Sequence, residues 1–168
     1  MSSSFGGKEF TTAETMEGRA WPCLRQFCVF LENRVGKLQE LMRHLETPDL
    51  RVVSLSVVDS VDFAMVRLIF SNTDRGREKL ELSGFLFSES DVVGVVLPDD
   101  EMPLTMICTT LVKAEMNIHH VYPLLYRHRG RGTVAIFVDD VDLSIKILRE
   151  SGLKVITESD LIDEDEFL

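Results

Sequence analysis

Positive charge is scarce in this 168-residue sequence: 18 Lys and Arg stand against 28 Asp and Glu, a formal charge of −10. Nucleic acid and anionic membrane both demand a basic face, so neither is an expected partner. Cysteine is nearly absent. Cys23, Cys28 and Cys108 are the only three, and they form neither a CxxC pair nor a metal-ligand spacing. A disulfide framework and a cysteine-held metal are therefore not expected, nor is any cofactor. An odd count with no basic-then-apolar leader reads as reduced thiols in the cytosol. No apolar run approaches the ~20 residues of a membrane span. Glycine-rich phosphate loops and nucleophile motifs are missing as well, and no carboxylate pair is specially placed, so the expectation is a protein that is not an enzyme.

What the sequence does contain is a repeat. Val29-Phe30-Leu31 returns as Val95-Val96-Leu97, and Leu38, Leu41, Met42 and Leu45 return as Leu104, Ile107, Cys108 and Leu111. Val52 returns as Ile118 (118 − 52 = 66). Ser83-Gly84 is matched by Ser151-Gly152, and the stretch 87–92 is echoed by 156–161. A period this long means a duplicated small domain and not a solenoid. A unit of about 66 residues buries only roughly 60% of its unfolded surface, so the halves should pack on each other or on another chain.

Each half spells the same order. Residues 24–32 form an apolar strand, and Asn33-Arg34-Val35-Gly36 is a turn signal. Leu38, Leu41, Met42 and Leu45 then mark one helix face, which Pro48 terminates. Residues 51–59 and 63–70 read as a hairpin, Asn72-Thr73-Asp74 offers the N-cap of a second helix that ends at Gly84, and a closing strand covers 85–88. The second half repeats this with strands at 91–97, 118–126, 133–139 and 154–159 and helices at 104–115 and 141–151. The expected organisation is a disordered tail at 1–21, units at 22–89 and 90–162, and an acidic tail at 163–168. The fold class is α+β: two tandem ferredoxin-like βαββαβ units, antiparallel, with both helices of each on one face. The second strands, 51–59 and 118–126, should be sheet edges, and edges must be paired or covered. Two units joining there into one larger sheet, with ligand at the seam, is the expectation. Sheets of this topology that bind RNA need exposed aromatics and a basic face; no RNP-like motif is present.

Phe30-Leu31-Glu32-Asn33-Arg34-Val35-Gly36-Lys37-Leu38, followed by a helix and a Ser/Val-rich strand, resembles the opening of an ACT domain. It looks particularly like the small regulatory subunits of acetolactate synthase. Taken whole, residues 24–161 are similar to tandem ACT proteins. The resemblance implies a cytosolic regulatory module, itself not an enzyme, that binds an amino acid or similar small metabolite between paired ACT units. It also implies a homo-oligomer or a biosynthetic enzyme as partner. The alternative is an interaction subunit docking on an enzyme such as acetolactate synthase, with its own ligand site vestigial.

The turn 33–36 suits that role, because a helix N-terminus offers unpaired N–H groups to a carboxylate. Gly36 permits close approach and positive φ, Asn33 offers a hydrogen bond, and Arg34 adds charge. Val35, Lys37 and Leu38 complete the loop and first turn. A tight strand-to-helix turn is the plainer reading of Gly36. In the second copy the loop becomes Asp99, Asp100, Glu101 and Met102, with Pro103 suited to a first helical turn. Its carboxylates would repel a carboxylate ligand and Met102 would fill the space that glycine leaves. The loop is then a solvated turn, a degenerate site, or a contact for an ammonium group or cation. His119 and His120 cannot clamp one metal ion, since neighbours on a strand face opposite ways. The facing member, with Tyr122, is a candidate pocket residue, because Ser54 and Ser56 hold the matching positions of unit one. Residues 126–132, rich in Arg and His, read as a soluble hairpin tip or a docking point for an acidic partner or a phosphate.

Overall fold

In the computed structural model, which describes residues 22–162, apolar alternation builds the first half as expected. The tails assigned to 1–21 and 163–168 lie outside the described residues. Phe27, Val29 and Leu31 of β1 (Leu24–Glu32) share a face that α1 (Lys37–Leu45) covers with Leu41 and Leu45. β2 (Val52–Asp59), β3 (Phe63–Phe70) and α2 (Thr73–Leu82) complete that layer, with Val52, Val66, Leu68, Phe70 and Leu80 buried in it. The Asn72 side chain accepts from the Arg75 N–H and caps α2.

β4 (Leu86–Val96) serves both halves. Its residues from Leu86 to Val92 pair with β1, while Val93 to Val96 pair with β6 (Thr133–Val138). Two separate strands, at 85–88 and 91–97, were expected here. The linking residues stay in the ladder because Glu89 is held by Arg25 and Arg77, and Ser90 by the Gln26 amide at 3.0 Å. The second half adds α3 (Pro103–Lys113), β5 (Ile118–Pro123), α4 (Val141–Glu150) and β7 (Val155–Ile156). β5 stops at Pro123 instead of reaching 126, and β7 gives way to a 3-10 turn at Glu158–Ile162, where the strand was expected to run to 159.

All pairings are antiparallel, and they make one seven-stranded sheet in the order β2-β3-β1-β4-β6-β5, with β7 beside β4. One larger sheet is as expected, but the halves are joined through the continuous strand β4, which pairs with β1 at one end and β6 at the other, and not by pairing of the second strands. β2 and β5 are its ends, and the sheet curls until they touch. The Leu125 N–H donates to Val53 O at 2.6 Å and the Ser54 hydroxyl to Pro123 O at 2.9 Å. Curling protects both edges at that point from further pairing. The helices lie outside the curl on two cores, one centred on Leu41, Leu45 and Leu80, the other on Ile107, Leu111 and Leu148. A third core fills the concave face, where Leu24, Ile69 and Val92 meet Tyr122, Leu124 and Tyr126. Tyr126 is 1% exposed, so it belongs to this core and not to a soluble hairpin tip.

Candidate functional site

On the concave face, beside the third core, the two halves present polar side chains to each other. Ladder partners share a face, so Ser88 aligns with Cys28, Cys28 with Arg67, and Arg67 with Ser56. Gln26, 1% exposed, reaches across to unit two: its Oε1 accepts from the Tyr122 hydroxyl and lies 3.2 Å from His120 Nε2. The imidazole stacks on Tyr122 and on Phe137. Burial pushes the Tyr122 phenol up, so it remains a donor. Burial likewise raises the Cys28 thiol, against the lowering effect of Arg67, which keeps it protonated and unreactive. His120 is held below the ordinary histidine range by burial first, then by the charges of Arg67 and His119. Arg67 is half-buried, and among the described residues no carboxylate pairs with it.

Of the expected site residues, His120, Tyr122 and Ser56 come together here. Ser54 is fully buried and occupied by Pro123 O. His119 faces elsewhere, 2.5 Å from Asp139 Oδ1. Register slips in β2 and β5 explain this, since they leave Val53 and His119 unmatched, the same bulge in both copies (119 − 53 = 66).

The 33–36 turn lies apart from that patch. The Asn33 amide donates to Asp59 Oδ1 at 2.7 Å and to Ser60 O at 2.9 Å, and Arg34 pairs with Glu32, so these groups serve their own hairpin. Gly36 adopts φ +89°, and the space where a Cβ would stand is open to at least 4 Å. Left-handed geometry, not crowding, is therefore what requires glycine there. Val35 is fully exposed, Leu38 is 38% exposed, and Lys37 pairs with Glu40 at 2.9 Å. In unit two the Asp99 carboxylate pairs with Arg131 at 3.0 Å and the Asp100 side chain accepts from the Met102 N–H at 2.8 Å. Met102 is 64% exposed and fills no pocket, while Pro103 opens α3 as expected. The loop is thus not a bare acidic mouth.

A family model described as an ACT domain pair matches residues 23–164. The chain belongs to the ACT domain pair family. Among solved structures, protein BT0572 from Bacteroides thetaiotaomicron is 26% identical, with 84% of this chain and 96% of that one aligned at a TM-score of 0.75. The regulatory subunit of aspartate kinase from Thermus thermophilus, ligand-free form, shares the fold at 12% identity and TM-score 0.53, over 76% of this chain and 92% of that one. An aspartokinase with alpha and beta subunits does so at 12% and 0.51, over 79% and 94%. No curated protein sequence matches.

Within this ACT pair, sequence reasoning missed Gln26 and Arg67. Each is a lone polar residue in an apolar strand, Gln26 between Arg25 and Phe27 and Arg67 between Val66 and Leu68. That interruption was the available signal. No helix among the described residues is long and apolar enough to cross a membrane.

Proposed function

We propose that this ACT pair is a cytosolic, non-catalytic sensor that binds an amino acid or similar small metabolite on its concave face, with the ligand carboxylate on Arg67. Family membership supplies the regulatory role. The observation that carries the site is a half-buried guanidinium with no carboxylate partner among the described residues, next to an imidazole whose proton affinity it lowers. A carboxylate placed between them removes that repulsion and gains charge-assisted hydrogen bonds. Ser56 and Ser88 flank Arg67 on the same face and offer hydroxyls to the rest of the ligand. Because Gln26 and Tyr122 join the halves there, a ligand that favours one curl of the sheet shifts the whole pair by its differential affinity. The open Gly36 turn stays in this reading as a second approach, toward another copy or a partner enzyme.

Thermal unfolding against a panel of amino acids at millimolar concentration tests it. A ligand at 100 times its Kd adds about 2.7 kcal/mol, a rise of roughly 5–10 °C at this size. The rise should vanish in Arg67→Gln; a rise that persists in that variant removes the assignment. Gly36→Leu separately asks whether the turn contributes. The second reading, a subunit docking on a biosynthetic enzyme such as acetolactate synthase, is favoured by the exposed Leu55, Val57, Val58 and Phe63 at the β2 end of the sheet. Stoichiometric capture of such an enzyme, with no response to any amino acid, would select it.

A further inference from the structure

A cavity with charged walls lies at the end of unit two, where β4 runs into its turn. Its volume is about 660 Å³, which falls within the 300–1,000 Å³ typical of small-molecule sites. Leu97, Pro98 and Leu153 give it an apolar wall, and Arg129, Arg131 and Lys154 bring positive charge to it. These come from three separate segments: the turn after β4, the hairpin between β5 and β6, and the loop between α4 and β7. The backbone ties them together, since the Val96 N–H donates to Lys154 O and the Leu97 N–H to Gly132 O, both at 2.9 Å. The hairpin tip closes on itself through paired His128 and Arg131 main-chain bonds, both at 3.0 Å, with Arg129 and Gly130 left-handed. His128 also lines the cavity, and its Nδ1 lies 3.2 Å from the hydroxyl of the buried Tyr126.

Among the described residues two acids line the cavity, and both are engaged. Asp99 pairs with Arg131, and Asp160 accepts from the Thr157 N–H at 2.7 Å and its hydroxyl at 3.0 Å. Lys154 is exposed, and among the described residues its ammonium pairs with no acid. On a protein of charge −10, three cations against two acids leave the described lining of this cavity with a small excess of positive charge. Arginine forks match phosphate oxygens in bidentate fashion, and a dianion gains more from several cations than a monoanionic carboxylate does.

We infer that this cavity is a second ligand site, peculiar to unit two, for a phosphate monoester with a flat or apolar body. The phosphate sits among Arg129, Arg131 and Lys154, and the body lies against Leu97, Pro98 and Leu153, with the His128 ring beside it. Unit one has no counterpart to the cationic hairpin, because its β2–β3 turn is Asp59-Ser60-Val61-Asp62 and Asn33 is bonded to it. The two copies would then read different inputs.

Titration calorimetry of the full chain with AMP, adenosine, inorganic phosphate and glutamate decides the matter. AMP should bind saturably, adenosine and glutamate should not, and phosphate should compete weakly. Lys154→Gln and Arg129→Gln should each weaken AMP roughly tenfold, the size of one charge-assisted contact, and in Lys154→Gln the melting temperature should stay unchanged. His120→Gln, on the concave face, should leave AMP binding intact. Absence of AMP binding overturns the inference, as does AMP affinity indifferent to both cation variants. Glutamate binding as tightly as AMP would make this a carboxylate site and overturn it too. The amino-acid response is read separately, through Arg67→Gln, so the two assignments stand or fall independently.

Discussion

The Tyr122 hydroxyl donates to Gln26 Oε1 across the boundary between the two ACT units, from a ring stacked on His120 with centroids 5.7 Å apart. Both partners are buried, at 6% and 1% exposure. A buried acceptor that loses one donor costs about 1–3 kcal/mol. His120 Nε2 still lies 3.2 Å from Gln26 Oε1, so Tyr122→Phe should fall near the lower end. Urea unfolding would show it as a reduced midpoint. Adding Gln26→Leu to Tyr122→Phe should cost less than the two single changes summed, because the pair share one interaction.

Acid should loosen the same contact. His120 binds its proton more weakly in the folded chain than in the unfolded one, through burial and then the charges of Arg67 and His119. The unfolded state therefore takes up more protons as pH falls through about 6.5. This contribution to stability is complete above that value, declines below it, and levels off beneath the folded pKa. Urea midpoints measured from about pH 8 down to about pH 5 should slope less in His120→Gln. An equal slope would mean that other groups carry the acid sensitivity.

Glu115 follows α3 with φ +57°, in the position where the ends of α2 and α4 have Gly84 and Gly152. The Met116 N–H closes the cap on Leu111 O at 3.0 Å. Left-handed backbone costs a side-chain-bearing residue roughly 1–2 kcal/mol, while glycine's greater freedom when unfolded returns about 0.4–1 kcal/mol of that. Glu115→Gly should stabilise by about 0.5–1 kcal/mol. A calorimetric rise in Tm of a few degrees is the expected reading.

Gly76 lies mid-helix in α2, where alanine would ordinarily gain about 1 kcal/mol. Here a Cβ would come within 2.1 Å of Phe70 Cδ2. Phe70 is 2% exposed and packs against Phe27 at 5.2 Å between ring centroids, so it has little room to retreat. Overpacking of this kind costs about 1–3 kcal/mol and should exceed the helix gain. Gly76→Ala should lower the urea midpoint without changing the slope of the transition.

The duplication was legible because its apolar positions are local and periodic. Val29 and Val95, Leu41 and Ile107, Leu45 and Leu111 all occupy matching places in the helix-facing cores. The echo at the end of each unit was misaligned. Phe87 pairs with Val29 and Val155 with Val95, so the counterpart of Phe87 is Val155 (155 − 87 = 68), one residue before Ile156. That agrees with the spacing of Gly84 and Gly152 (152 − 84 = 68). The last strand, expected to run to 159, stops at Ile156, and the Asp160 side chain accepts from the Thr157 N–H where the chain enters the 3-10 segment.

Hydrophobic spacing and turn residues by themselves determined the element order and the duplication, since each is written within a few consecutive residues, and the stretch 30–38 carried the resemblance to the family. Tertiary structure alone decided which polar groups meet. Gln26 and Tyr122 are 96 residues apart, and Arg131 reaches Asp99 from a different hairpin. Both encounters depend on how far the sheet curls and on which edge closes against which. Curl is the summed twist of seven strands, and no short window of sequence records it.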